Sequence, residues 1–135
     1  MTADTDQFSD LEIFAKTLDG EAGNQGYEGQ QCVAEVIMQR VALHWQGETT
    51  IRGVCLHHNQ FSCWNSGTNP DRDRIMKSTD EQCLTIAGMF LRGFTSNYTK
   101  GADSYIVRGT DCYWADGLEP VYSRGAHDFY ITRSV

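Results

Sequence analysis

The chain has 135 residues and a formal net charge of −7, with 18 acidic and 11 basic side chains. This charge argues against nucleic acid and anionic membrane surfaces as partners, because phosphate binding needs concentrated lysine and arginine. The composition is 40% hydrophobic, yet no apolar run approaches the roughly 20 residues that a membrane span needs. We therefore expect a single globular domain over residues 1–135, without membrane insertion.

The N-terminal stretch MTADTDQFSDLE is polar and acidic and has neither the basic start nor the apolar region of a secretory signal. We therefore expect synthesis in the cytoplasm. The five cysteines are odd in number and include no CxxC pair, which favours free thiols over a zinc ribbon. Pairing of Cys55 with Cys63 stays open if the chain is exported. The adjacent His57 and His58 lack the helical spacing of a metal site, and we expect no metal or cofactor.

Two helices are predicted in the first third of the chain. The motif SDLE at residues 9–12 is a capping box, and apolar residues at helical spacing follow it until Gly20 or Gly23 ends the helix. The lone acid Glu21 therefore lies at or just beyond the C-terminal end of this helix.

The second helix is predicted from about residue 28 to about residue 44. Its valines and isoleucine form a buried stripe, and we expect Gln31, Glu35 and Gln39 on its other face.

The middle of the chain is predicted to be irregular. TTIRGVC indicates a short helix, the segment from Gln60 to Trp64 is expected to be extended, and SGTNPDRDR is expected to form turns throughout. The motif STDE at residues 78–81 predicts the start of a third long helix, which Gly93 ends. Loops and short strands follow, so the fold class is α+β and mainly helical, with a small hairpin or sheet.

Glu21 is the first candidate for chemistry. The partial negative charge at a helix C-terminus disfavours a carboxylate by up to about 1 kcal/mol. Such a position suits a general acid, which must keep its proton at working pH. The alternative is an acid that lies in solvent without a function.

Two further sets of residues carry alternative interpretations. Gln60, Phe61 and Ser62 form either core packing or a glycan-binding edge, in which amide and hydroxyl groups bind sugar hydroxyls. Cys32 near a helix start and the distant His127 fit a cysteine peptidase or amidase, although any such pair can be found in many chains. One of the tyrosines in the last third, such as Tyr105, is expected to face a groove.

Taken together, several segments resemble the SleB-type cell-wall hydrolases, the spore cortex-lytic enzymes and their relatives in bacteria and phages. The resemblance rests on FAKTLDGEAGNQGYEGQQCVAEVIMQRV, GVCLHHNQFSCW, AGMFLRG and a terminal pattern of Tyr, Trp-Ala and His-x-Phe-Tyr. It covers about residues 11–130. This chain departs from the family where Gln39 stands in place of the usual asparagine before Arg40, and residues 101–105 match only loosely.

The resemblance implies a lysozyme-like fold with the small sheet beside the active-site cleft, and cleavage of peptidoglycan glycan strands by Glu21, the glutamate of the GEA motif. It implies that the glycines leave room for a sugar. We expect substrate contacts from Gln60, Phe61, Ser62, Glu35, Gln39 and Tyr105. A compact domain of this kind resembles a monomeric phage endolysin that a holin releases to the wall.

Two mechanisms remain open at this point. A muramidase needs a second carboxylate, for which Glu35 and, less directly, Asp103 are candidates. A lytic transglycosylase needs only Glu21. A cysteine amidase or endopeptidase using Cys32 and His127, and a non-catalytic wall-binding protein, are the competing classes.

Overall fold

The computed structural model describes residues 4–133. It contains five α-helices, α1 (Asp10–Ala22), α2 (Gly26–Leu43), α3 (Ile51–Leu56), α4 (Pro70–Lys77) and α5 (Glu81–Leu91). Three strands, β1 (Ser104–Val107), β2 (Tyr122–Arg124) and β3 (His127–Tyr130), form one antiparallel sheet in the order β1-β3-β2. The prediction of a mainly helical α+β fold is confirmed. Within the described residues, no helix is long and apolar enough to cross a membrane.

Helix α1 lies at the centre of the helical part and contacts each of the other four helices. Its predicted capping box is present, since the Ser9 hydroxyl accepts from the Glu12 N–H and the Glu12 carboxylate accepts from the Ser9 N–H. Its residues Ile13, Phe14 and Leu18 are fully buried in the larger of two apolar clusters. The C-terminal end of α1 is therefore held rigidly by the core.

Helix α2 separates the two apolar clusters. Val33 and Ile37 pack in the larger cluster, whereas Cys32 and Val36 pack with Ala102 and Phe129 in the smaller one beneath the sheet. The sequence predicted a polar second face for this helix. Two of the residues on this face, Gln31 and Glu35, are buried, and the segment before β1 covers Glu35.

The chain between α3 and α5 differs from the sequence prediction. SGTNPDRDR is not turns throughout, because Pro70 begins α4 and the Asn69 side chain caps it by accepting from the Arg72 N–H. The segment expected to be extended at residues 60–64 is a 3-10 turn at Ser62–Trp64. Helix α5 is capped by Asp80, whose carboxylate accepts from the Cys83 N–H, rather than by the STDE capping box.

Candidate active site

The carboxylate of Glu21 is held by three donors from two distant segments. The Tyr105 hydroxyl donates to Oε1 at 2.6 Å, and the Cys63 backbone N–H donates to Oε2 at 3.1 Å. The Ser62 hydroxyl makes a longer contact of 3.5 Å with Oε2. Glu21 is partly exposed in the last turn of α1. Its carboxylate is therefore fixed in position while still reachable from outside.

Gly20 allows this arrangement because it brings α1 against the turn at residues 62–64. A Cβ at position 20 would overlap the Cβ of Cys63 and lie 2.7 Å from its Sγ. Cys63 is buried in the core, so it has no free space to move into. The sequence resemblance attributes the glycine to space for a sugar. The structure shows that Gly20 lets the Cys63 N–H come within hydrogen-bonding distance of Glu21.

Tyr105 lies on β1, and its ring centroid is 6.5 Å from that of Phe61. Its ring centroid is 4.8 Å from that of His127 and 5.6 Å from that of Phe129. Burial, followed by the nearby charge of Glu21, holds the pKa of the Tyr105 hydroxyl well above its usual range. The phenol therefore stays protonated and acts as a donor to Glu21.

Glu21 lies in a cleft of about 630 Å³ between the end of α1, α4 and the sheet. On one wall, the Arg74 guanidinium is 2.8 Å from the Asp19 carboxylate, and the Asp19 side chain is largely buried. Asp71 lines the same wall. None of these three residues was predicted from the sequence to lie at the site. The Asn69–Pro70 pair, a helix cap followed by proline at the first helical position, was the signal that could have revealed α4.

The opposite wall of the cleft comes from the turn between β2 and β3. His127 is buried and lines the cleft, and burial lowers the pKa of its imidazole because it disfavours the charged form. The Gln25 side chain accepts from the Ala126 N–H at 3.0 Å, so the link between α1 and α2 holds this turn across the cleft. Neither residue was predicted to act with Glu21.

The segment of Gln60, Phe61 and Ser62 is divided between three environments. Ser62 lines the cleft beside Glu21. Phe61 is 2% exposed and belongs to the larger apolar cluster, which corresponds to the core-packing alternative. Gln60 lines a neighbouring cavity, which shares Tyr105 with the cleft. Of the predicted substrate contacts, the cleft itself thus contains Ser62 and Tyr105.

Glu35, a candidate for the second acid, is not among the residues that line the cleft. Its carboxylate accepts from the Ser96 hydroxyl, the Tyr98 N–H, and the N–H and hydroxyl of Thr99 at 2.9 and 2.7 Å. It fixes the segment before β1. Gln39 lies with it on a separate cavity of about 240 Å³ and is likewise not among the residues that line the cleft.

Asp103, the other candidate for a second acid, is also fully engaged. It is 1% exposed, and its carboxylate accepts from Thr132 and Arg133 near the end of the described chain. Its backbone carbonyl accepts from Arg40. Asp103 therefore has a structural role and does not reach the cleft.

The positions of Cys32 and His127 do not support a cysteine amidase or endopeptidase. Cys32 is completely buried, and burial raises the pKa of its thiol to about 12, so no thiolate nucleophile forms near neutral pH. His127 lines the cleft, whereas Cys32 is not among the lining residues. Within residues 4–133, no group of three or more His, Cys, Asp or Glu side chains is arranged to hold a metal ion.

Comparison with known proteins gives a family and a fold. A family model described as Cell Wall Hydrolase matches residues 24–130, beginning just after Glu21. The catalytic domain of the Bacillus cereus SleB protein is similar in structure, with a TM-score of 0.71, 24% identity, and coverage of 90% of this chain and 88% of that chain. The catalytic domain of the germination-specific lytic transglycosylase SleB from Bacillus anthracis has a TM-score of 0.72 and 22% identity, covering 91% and 96%. No curated protein matches the chain.

Proposed function

Since the chain belongs to the cell wall hydrolase family, we propose that it cleaves the β-1,4 bond between N-acetylmuramic acid and N-acetylglucosamine, as a lytic transglycosylase. It is a peptidoglycan-degrading enzyme with a lysozyme-like α+β fold. The proposed bond and mechanism rest on one observation, the carboxylate of Glu21, which Tyr105 and Cys63 orient in the cleft.

In the first step, Glu21 acts as general acid. Its carboxyl group gives a proton to the glycosidic oxygen, the bond from that oxygen to C1 of N-acetylmuramic acid breaks, and the leaving sugar departs with a free 4-hydroxyl group. The hydrogen bonds from Tyr105 and the Cys63 N–H are strongest to an ionised acceptor. They therefore stabilise the carboxylate at the moment when it has lost its proton.

In the second step, the same carboxylate acts as general base. It takes the proton of the 6-hydroxyl of N-acetylmuramic acid while the oxygen attacks C1, which closes a 1,6-anhydro ring. The proton returns to Glu21, and no water is consumed. One carboxyl group thus serves both steps, as general acid and then as general base.

The choice of transglycosylation is supported by the state of the other acids. Glu35 and Asp103 are held outside the cleft, and the Asp19 carboxylate in the cleft is paired with Arg74 at 2.8 Å. Asp71 also lines the cleft and is exposed. Because of Asp71, a muramidase is the second candidate. A hydrolase would need such a carboxylate to activate water or to stabilise the sugar cation.

The test is digestion of purified cell walls followed by mass spectrometry of the products. We expect 1,6-anhydro sugar ends, each lighter by one water than the reducing ends that a muramidase produces. Glu21→Gln should lower the rate of wall clearing by at least about 100-fold without changing the circular dichroism spectrum. Glu81→Gln, an exposed glutamate in the first turn of α5, is the matched control and should keep full activity.

Two results would contradict the proposal. Glu21→Gln with more than about a tenth of wild-type activity would remove the acid from the mechanism. Products that carry only reducing ends would show that the enzyme is a muramidase and not a lytic transglycosylase. The endolysin role, release by a holin, a monomeric state and the extent of the domain remain predictions.

A further inference from the structure

A second cavity of about 480 Å³ adjoins the Glu21 cleft. Tyr105 lines both, and the same two segments run along both of them. From residues 60–62, Ser62 lines the cleft and Gln60 the second cavity; from β1, Val107 lines the cleft and Ile106 the second cavity. We name the second one the Trp45 cavity, after the tryptophan that lines it. The two cavities are therefore neighbours that share the side of Tyr105.

The lining of the Trp45 cavity combines aromatic rings with amide groups. Trp45, Trp114 and Tyr113 supply the rings, and Gln46, Asn59 and Gln60 the amides. Tyr113 is 88% exposed, so its ring is free to contact a ligand in the cavity. Flat apolar faces combined with amide donors and acceptors suit sugar rings and their hydroxyl and acetamido groups.

Arg40 is the feature of this cavity that packing does not explain. It lines the cavity and is only 6% exposed. Its Nε donates to the Asp103 carbonyl at 2.7 Å, and its Nη2 makes a contact of 3.4 Å with the Ser104 hydroxyl. Its Nη1 is buried and has no hydrogen-bond partner among residues 4–133.

The charge of Arg40 is also unpaired within the described part of the chain, where no carboxylate lies within ion-pair distance of it. Its guanidinium lies 3.9 Å from the ring centroid of Trp45 and 5.3 Å from that of Phe61. Ring contacts of this kind stabilise a cation but do not satisfy its N–H groups. A buried charge is normally paired and fully hydrogen-bonded, so the cavity wall carries a donor group suited to an anion.

We propose that the Trp45 cavity binds a carboxylate-bearing sugar unit of the glycan strand, with its ring against Trp45 and Tyr113 and its carboxylate paired with Arg40. This inference rests on the proposed function, because it takes the strand cleaved at Glu21 to continue past Tyr105. The carboxylate has two sources in peptidoglycan. It belongs to the lactyl group of a peptide-free N-acetylmuramic acid, or to the peptide attached to that group.

The test measures binding to Glu21→Gln protein by calorimetry, since this variant does not consume the ligand. The probes are peptide-free and peptide-bearing peptidoglycan oligosaccharides, each in its acid form and with its carboxylates converted to carboxamides. We expect the acid form to bind about tenfold or more tightly than the carboxamide form. Discrimination only in the peptide-free pair assigns the lactyl carboxylate, and discrimination only in the peptide-bearing pair assigns the peptide. Equal affinities within both pairs would overturn the proposal.

Further substitutions in the Glu21→Gln protein show which residues distinguish the acid form of the ligand from the carboxamide form. Arg40→Gln should bring the acid-to-carboxamide affinity ratio close to one. Tyr113→Ala should weaken both forms by about fivefold while leaving the ratio unchanged. Tyr27→Ala is the control, because this partly exposed tyrosine lies outside both cavities and contacts Met89. It should leave affinity and ratio as they are.

A folded Arg40→Gln protein that still discriminates would refute the role of Arg40. If that variant does not fold, the acid and carboxamide comparison on the Glu21→Gln chain decides by itself, together with Tyr113→Ala. These outcomes are separate from a failure of the proposed function. That failure would appear as cleavage by Glu21→Gln, whereas this inference fails when an inactive Glu21→Gln protein binds both forms equally.

Discussion

Replacement of Gly20 by alanine tests how this glycine positions Glu21, the proposed general acid. A methyl group at this position would overlap the Cβ of Cys63 and approach its Sγ to 2.7 Å. Overpacking in a tight core costs about 1–3 kcal/mol. Alanine returns at most about 1 kcal/mol through its higher helix propensity. We therefore expect Gly20→Ala to lower the free energy of unfolding by about 1–2 kcal/mol.

The same change should reduce activity, because relief of the overlap moves the turn that carries the Cys63 N–H away from Glu21. A displacement of about 1 Å at a catalytic group can cost on the order of 100-fold in rate. Urea denaturation would measure the stability and clearing of purified cell walls the activity. Gly88→Ala in α5 is the matched control, since its added methyl group meets only the flexible end of the Arg92 side chain, at 3.2 Å.

Three results separate the explanations. Loss of both stability and activity supports the contact with Cys63. Lost activity with unchanged stability would instead support the view that Gly20 leaves room for a sugar. Full activity with unchanged or higher stability would refute both. A double-mutant cycle of Gly20→Ala with Cys63→Gly should show a favourable coupling energy of about 1 kcal/mol, because the second change removes the overlapping side chain.

Three other predictions follow from the same structure. Tyr105→Phe keeps the packed ring but removes the 2.6 Å bond to Glu21; the rate of wall clearing should fall by about tenfold to 100-fold with little change in thermal stability, and a wild-type rate would exclude this bond from catalysis. Glu35→Ala removes the acceptor of four donors in residues 96–99, so the free energy of unfolding should fall by about 2–4 kcal/mol. The cleavage products should be unchanged in mass spectrometry, and altered products would indicate that Glu35 acts in the cleft. Burial lowers the pKa of His127, so the unfolded chain binds a proton at a higher pH than the folded chain does, and the free energy of unfolding should decline as pH falls below about 6.5. His127→Gln should reduce this decline in denaturation curves measured across that pH range, and an identical pH dependence in the variant would contradict the prediction.

Local sequence signals were sufficient for most of the helices. The capping box at Ser9 and the apolar spacing after it placed α1 and left Glu21 in its last turn. These signals act within a few residues of each other, so they can be read without knowledge of the fold. α4 was missed even though its signal is equally local, because the Asn69–Pro70 pair fits a turn as well as a helix cap.

Motif resemblance indicated Glu21 as the candidate general acid, but only the tertiary structure determined its surroundings. The donors to Glu21 come from positions 62–63 and 105, and contacts across such separations depend on how α1, the 62–64 turn and the sheet pack together. The same holds for Glu35. On a helix wheel it lies on a polar face, yet the segment at residues 96–99 covers it and donates hydrogen bonds to its carboxylate.

Burial is the other property that the linear chain left open. A cysteine near a helix start can be reactive or inert, and the sequence could not choose for Cys32. The sheet packs over it and raises the pKa of its thiol to about 12, because a low-dielectric environment disfavours the thiolate. The sequence by itself thus determined most of the helices and the acid at the end of the first one, since these depend on short-range spacing. The cleft, the partners of the acid and the charge state of the side chains around it were decided by the fold, since they depend on which distant segments exclude water together.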